Sequence, residues 1–152
     1  MKKLTKLIIN RKFWGTGKRS SKALYDATNH KYCCLGFYSK ACGFENKELN
    51  NEGTPEELVG NFLSDYRYDN HCDSDKLSDI KDLPSKFQKI LKLLGRDTHS
   101  NSKICRKLMS ANDNPKISDK IREKRISGLF KKIGVAVEYK GKYPANVKYN
   151  ND

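Results

Sequence analysis

Tyr32-Cys33-Cys34-Leu35-Gly36-Phe37-Tyr38-Ser39-Lys40-Ala41-Cys42-Gly43 decides the fold. Its left end closes a strand pattern and its right end is a helix. Cys34, Leu35, Tyr38, Ala41 and Cys42 recur at the spacing of one helical face. Gly43 ends that helix, as a residue free to adopt a left-handed conformation. Cys34 and Cys42 therefore face inward as small hydrophobes. Cys33 sits in the first turn and off that stripe, where a helix dipole can lower a thiol pKa.

Upstream of this junction, Lys22–Asp26 and Lys31–Cys34 read as two strands around Ala27-Thr28-Asn29-His30, a hairpin. Further back, Leu4, Leu7, Ile8 and Arg11 follow a 3.6-residue period, so residues 2–12 are expected to form a short amphipathic helix. The segment Gly15-Thr16-Gly17-Lys18-Arg19-Ser20-Ser21 breaks the pattern as a glycine-containing basic loop.

Downstream, Thr54-Pro55-Glu56-Glu57 is a helix start. Threonine caps, proline suits the first helical position, and Glu57 completes a capping box. Leu58, Phe62, Leu63 and Tyr66 form its buried face, and Asp69 to Asp75 is a polar loop. Leu77, Ile80 and Leu83 suggest a further helical turn. A helix follows from about Pro84 to Gly95, with Phe87, Ile90, Leu91 and Leu94 inward. Ile104, Cys105, Leu108 and Met109 pattern another, and Asn112-Asp113-Asn114-Pro115 reads as a loop. Ser118 caps the last helix, whose stripe is Ile121, Ile126, Leu129, Phe130 and Ile133, with Gly134 at its end. Val135–Tyr139 alternates as a strand, Lys140-Gly141-Lys142 turns, and Val147–Tyr149 returns as a second hairpin. The sum is a single α+β domain over residues 1–152, with five or six helices and two short β-hairpins.

Composition narrows the class. At 152 residues the chain is long enough for a real core. Its apolar residues fall in periodic clusters, which favours a folded protein. No apolar run approaches the roughly 20 residues that span a bilayer, and Leu7-Ile8-Ile9 is too brief for a signal-peptide core. The expected compartment is the cytoplasm, with no membrane partner. Five cysteines spaced along helical faces are expected to be free thiols.

The net charge of +13 is segregated. Residues 1–32 carry nine Lys/Arg against one acid, residues 33–84 five against eleven, and residues 85–152 seventeen against six. Two basic regions flanking an acidic one can steer an anionic partner.

The candidate chemistry follows from that charge. Lys18, Arg19 and Ser20 offer cationic tips and hydroxyls to a phosphate, and Trp14, Tyr25 and Tyr32 are near enough in sequence to stack a base beside them. The loop is not a Walker A motif: the spacing differs, and no strand–loop–helix order surrounds it. Lys120, Lys124 and Lys131 share one face of the last helix, and Arg122 and Arg125 another, which could track a nucleic-acid backbone. Tyr139, Tyr143 and Tyr149 with Lys140, Lys142 and Lys148 make a second basic-aromatic patch on the expected hairpin. A nucleophilic Cys33 would need a base, and His30, His71 and His99 are the histidines available. His71-Cys72 among aspartates lacks zinc-knuckle spacing and the EF-hand glycine and glutamate, so no metal and no cofactor is expected.

Trp14, the basic Gly-containing segment, Leu24 and Tyr32-Cys33-Cys34-Leu35-Gly36-Phe37 together resemble a set of small phage and prophage proteins of unknown function. These carry a motif close to YCCLGVL after a short strand, and an Asn-Asp pair before a final helix. Leu108, Asn112 and Asp113 stand in the matching places, before the helix 119–133. Phe37 departs from the aliphatic residue of the motif, and the middle of the chain has no counterpart. The resemblance implies a phage origin and, by analogy, a role against host defence. The expected function is therefore an accessory protein that sequesters an anionic ligand, a nucleotide signal or nucleic acid, with Trp14, Lys18, Arg19, Ser20, Tyr25, Tyr32, Asn112 and Asp113 as ligand-binding residues. The alternatives are an enzyme with a Cys33 nucleophile and an inhibitor that binds a host protein by charge complementarity.

Overall fold

The computed structural model describes residues 3–19, 23–71, 73, 77–95 and 102–143. Its architecture is α+β, with six α-helices and two small sheets among these residues. The helices are α1 (Cys34–Cys42), α2 (Asn46–Leu49), α3 (Pro55–Asn70), α4 (Ser85–Leu94), α5 (Lys103–Asp113) and α6 (Asp119–Lys131). The strands are β1 (Lys6–Asn10), β2 (Tyr25–Asp26), β3 (Lys31–Tyr32) and β4 (Ala136–Lys140).

Helix α1 is the hub, packing against β1, β3, α2, α3, α4 and α5. Cys34, Leu35, Tyr38 and Cys42 are all buried, as the stripe requires. Gly43 caps it in the left-handed conformation at φ 115°. Gly36 is needed for a different reason. A Cβ there would run into the Leu24 backbone, 2.7 Å from its carbonyl carbon. The motif glycine thus lets the chain before the hairpin lie directly on the first turn of α1.

The expected N-terminal helix is a strand. Residues 6–10 form β1, which pairs in parallel with β4, Lys6 opposite Ala136 and Asn10 opposite Lys140. Leu7 and Ile9 point into the core while Lys6 and Ile8 face out. Both periods fit so short a segment. The β-branched Ile8-Ile9 pair and a partner strand distant in sequence select the strand. β4 finds a partner in β1, and the returning strand expected at Val147–Tyr149 lies outside the described residues. The first hairpin forms as expected, β2 antiparallel to β3 with Tyr25 opposite Tyr32. Asp26 closes its turn by accepting hydrogen bonds from the Thr28 and Asn29 amides.

The capping boxes are where the residue types require them. Thr54 accepts from the Glu57 amide at 3.3 Å, and Glu57 accepts in return from the Thr54 amide. A second box, Glu45 with Glu48, starts the unforeseen α2. Ser102 and Ser118 cap α5 and α6. Helix α5 runs through Asp113, so Asn112 and Asp113 are helical rather than part of a loop.

Candidate functional site

The double-cysteine junction is buried and held by internal hydrogen bonds. Cys33 is the N-cap of α1, its Sγ accepting from the Gly36 amide at 3.3 Å. It is 8% exposed. Burial pushes its thiol up to about 11, although the Gly36 and Leu35 amides pull the other way. Desolvation therefore outweighs the helix terminus. Cys34 is driven well above the ordinary thiol range, again by burial. His30 stands in the hairpin turn at φ 52°, its Nδ1 hydrogen-bonded with the Tyr25 hydroxyl at 3.1 Å. Among the described residues His30 is thus turned to Tyr25 and His71 caps the C-terminal end of α3, while His99 lies outside them; the net effect of burial on Cys33 disfavours a thiolate nucleophile.

Asn112 holds this junction together. Its Oδ1 accepts from the Trp14 indole N–H at 2.8 Å and from the Cys34 amide at 3.1 Å. Its Nδ2 donates to the Gly15 carbonyl at 3.0 Å and to Asp113 Oδ1 at 2.8 Å. Both acceptor sites and both donors of the amide are in use. One fully buried side chain thereby ties α5 to the chain before the hairpin and to the start of α1. Asp113, exposed at its outer edge, has its carboxyl pKa raised because lost solvent outweighs the Asn112 hydrogen bond and the attraction of Arg122.

The aromatic residues expected to stack a base face the protein instead. Trp14 is 6% exposed and lies against Tyr139, ring centroids 5.4 Å apart. Tyr25 is buried and packs on Tyr32 at 4.6 Å; Tyr32 packs on Phe37 at 5.0 Å and donates to Asn46 Oδ1 at 2.7 Å. Their faces are already occupied. Trp14, Asn112 and Asp113 do converge at the start of α1, joined through the hydrogen bonds of the Asn112 amide.

Lys18 and Arg19 are exposed on a 3-10 turn, Gly17–Arg19, that packs against α5. Ser20 lies outside the described residues. Gly17 adopts φ 55° and approaches the 114–115 loop closely: a Cβ there would meet the Pro115 Cα at 3.3 Å and Arg122 Nη2 at 3.2 Å.

That contact exposes a correction on α6. Arg122, expected on the outer basic face, is 1% exposed. Its Nη1 pairs with Asp119, and its Nη2 donates to the Asn114 carbonyl at 2.7 Å and the Ile117 carbonyl at 3.3 Å. It clamps the loop between α5 and α6. Ile121, expected inside, is 47% exposed. The inward stripe is Arg122, Ile126 and Phe130. The spacing of these three was visible in sequence, but an arginine at a stripe position is passed over until its neutralising Asp119 is recognised.

Among the described residues, the other cations of α5, of the loop after it and of α6 have no ion pair. Lys103, Arg106 and Lys107 are exposed on α5, and Lys116 on the following loop. On α6, Lys120, Lys124, Arg125, Lys131 and Lys132 are exposed. The acids of α6 are engaged: Asp119 with Arg122, and Glu123 with Arg11 through two hydrogen bonds of 2.6 and 3.0 Å. Arg11 also donates to the Gly141 carbonyl at 2.7 Å and sits over the Tyr143 ring at 4.3 Å. Tyr143 donates to Glu123 at 3.0 Å. Tyr139 and Tyr143 of the expected basic-aromatic patch are thus part of a latch that joins Arg11 to Glu123 of α6, while Lys148 and Tyr149 lie outside the described residues. Among the described residues no His, Cys, Asp and Glu side chains gather as a metal site, and no helix is long and apolar enough to cross a membrane.

No protein-family model matches this chain, and neither does any curated protein or solved structure.

Proposed function

We propose that this chain is a non-enzymatic binding protein for a polyanion, nucleic acid being the ligand class, and that cations rather than aromatic rings do the binding. One observation carries this reading. The Gly17–Arg19 turn, α5, the loop after it and α6 adjoin one another, and they present exposed lysines and arginines with no ion pair while both α6 acids are committed elsewhere. Uncompensated charge of this kind favours a ligand whose own charge is dense and repeating, because each contact releases a counterion. If the phage resemblance reflects origin, such binding would withhold a nucleic acid or a nucleotide signal from the host.

Filter retention or anisotropy with labelled DNA and RNA across a salt series tests it. The expected result is binding that weakens steeply with salt, with a slope of about −0.9 per phosphate contacted on duplex DNA. Absence of salt-dependent retention, together with an unchanged melting temperature in nucleotides, would sink the reading. A ligand at a hundredfold excess over its Kd stabilises by about 2.7 kcal/mol, which a melting curve detects.

A second reading, a protein partner held by charge complementarity, draws on α3. Tyr68 is 84% exposed there between Asp65 and Asp69. Pull-down from nuclease-treated lysate separates the two: capture that survives nuclease and depends on Tyr68 favours the protein partner.

A further inference from the structure

The exposed arc of α6 is divided into two cation rows with an uncharged strip between them. At 3.6 residues per turn, Lys120, Lys124 and Lys131 fall within about 40° of one another, and Arg125 and Lys132 form a second row roughly a third of a turn away. Between the rows lie only Ile121 and Gly128, both exposed and uncharged. A Cβ at Gly128 would meet nothing within 4 Å. The acids of the helix stay out of this arc, since Asp119 and Glu123 turn toward Arg122 and Arg11.

We infer that α6 seats in the major groove of double-stranded B-form DNA, its two cation rows meeting the phosphates on either side and its Ile121–Gly128 strip facing the groove floor. This rests on the polyanion reading above and narrows it to one ligand form. A major groove about 12 Å wide admits one α-helix with its side chains. Cations on both flanks match the phosphates on both walls, whereas a single strand offers only one line of charge. Gly128 removes the side chain that would hold the helix off the floor. Ile121 gives an apolar surface suited to thymine methyl groups. The arc carries no amide or acid side chain to read base edges, so the expected binding discriminates form more than sequence. The deep, narrow major groove of an RNA duplex excludes the helix.

The test uses the full chain with a two-turn DNA duplex, the corresponding single strand and an RNA duplex of equal length, followed by anisotropy. The DNA duplex is expected to bind at least about tenfold more tightly than the other two. Gly128→Leu keeps every charge and fills the central gap. It is expected to weaken the DNA duplex about tenfold and leave the single strand unchanged, because lifting the helix loses phosphate contacts on both walls. Gly128→Ala, with a melting curve, controls for folding. Dimethyl sulfate probing gives an independent readout: guanine N7, which lines the major groove, becomes protected in the complex. Equal affinity for all three nucleic acids, no effect of Gly128→Leu and unprotected N7 would overturn the groove assignment while leaving the polyanion reading intact. Failure to retain any nucleic acid overturns both.

Discussion

The Cys33–Asn112 junction and the outer arc of α6 are opposite kinds of surface. At the junction the polar atoms of Asn112 are all partnered: one amide side chain serves four neighbours, and burial holds two thiols in their neutral form. On the arc five cations have none, and a glycine leaves the centre open. The first arrangement costs stability if any member is removed, because buried donors and acceptors are then orphaned. The second costs little if altered, because solvent compensates. The part of this chain that looks most like chemistry in sequence is thus the part that holds it together. The part that looks like ordinary solvated helix has the freedom to meet a partner.

The sharpest way to break that contrast is Asn112→Leu. It orphans the Trp14 indole N–H, the Cys34 amide and the Gly15 carbonyl together, for an expected loss of about 4 kcal/mol in urea unfolding. A loss under about 1 kcal/mol would mean the junction is not the joint described. Gly36→Ala follows, at about 3 kcal/mol, since the added methyl group must displace the Leu24 backbone. Its check is the same unfolding midpoint, with Gly60→Ala as the contrast because Gly60 has open space around it.

Alkaline pH tests the thiols. The folded Cys33 keeps its proton to about 11, above the ordinary value of 9.0. Its contribution is therefore full below pH 9 and falls as pH rises toward 11, by about 1.4 kcal/mol per pH unit. Cys42 and Cys105 push the same way, each raised to about 12 by burial. Cys33→Ala is expected to make the decline of urea midpoint with pH shallower by one proton. Alkylation of native Cys33 at neutral pH is expected to be slow.

The arc predicts small effects on stability and clear ones on binding. Lys124→Glu with Arg125→Glu is expected to shift unfolding by no more than about 0.5 kcal/mol and to lower the salt slope by about one for each cation removed. Gly128→Ala is expected to raise stability by about 1 kcal/mol, through helix propensity alone. Unchanged nucleic-acid affinity in the double charge reversal would move the interface to α5 and the Gly17–Arg19 turn.

Much of the fold was legible because local rules and tertiary demand agree. The α1 stripe, the Thr54 box, the Ser118 cap and the hairpin around residues 27–30 each contain their own reason. The N-terminal strand was not, because five residues cannot distinguish two periods and the partner that does is 130 positions away. The candidate site divided similarly. Lys18 and Arg19 are exposed, as their charge implies, but Trp14, Tyr25 and Tyr32 turn inward, since aromatic area favours burial wherever a core surface is on offer. Asn112 could be singled out beside Asp113, while its role depends on groups 98, 97 and 78 residues distant.

The amino-acid order alone determined the α+β class, the starts of α1, α3, α4 and α6, the inward face of α1 and the charge of each third of the chain, because propensity, capping and periodicity act over a few residues. Tertiary structure decided which way Trp14 and Arg122 point, that β1 joins β4, and that the α6 acids are spent on its own fold. Those outcomes depend on desolvation and on partners far apart in sequence, where burial and pairing exist only after the chain has closed on itself.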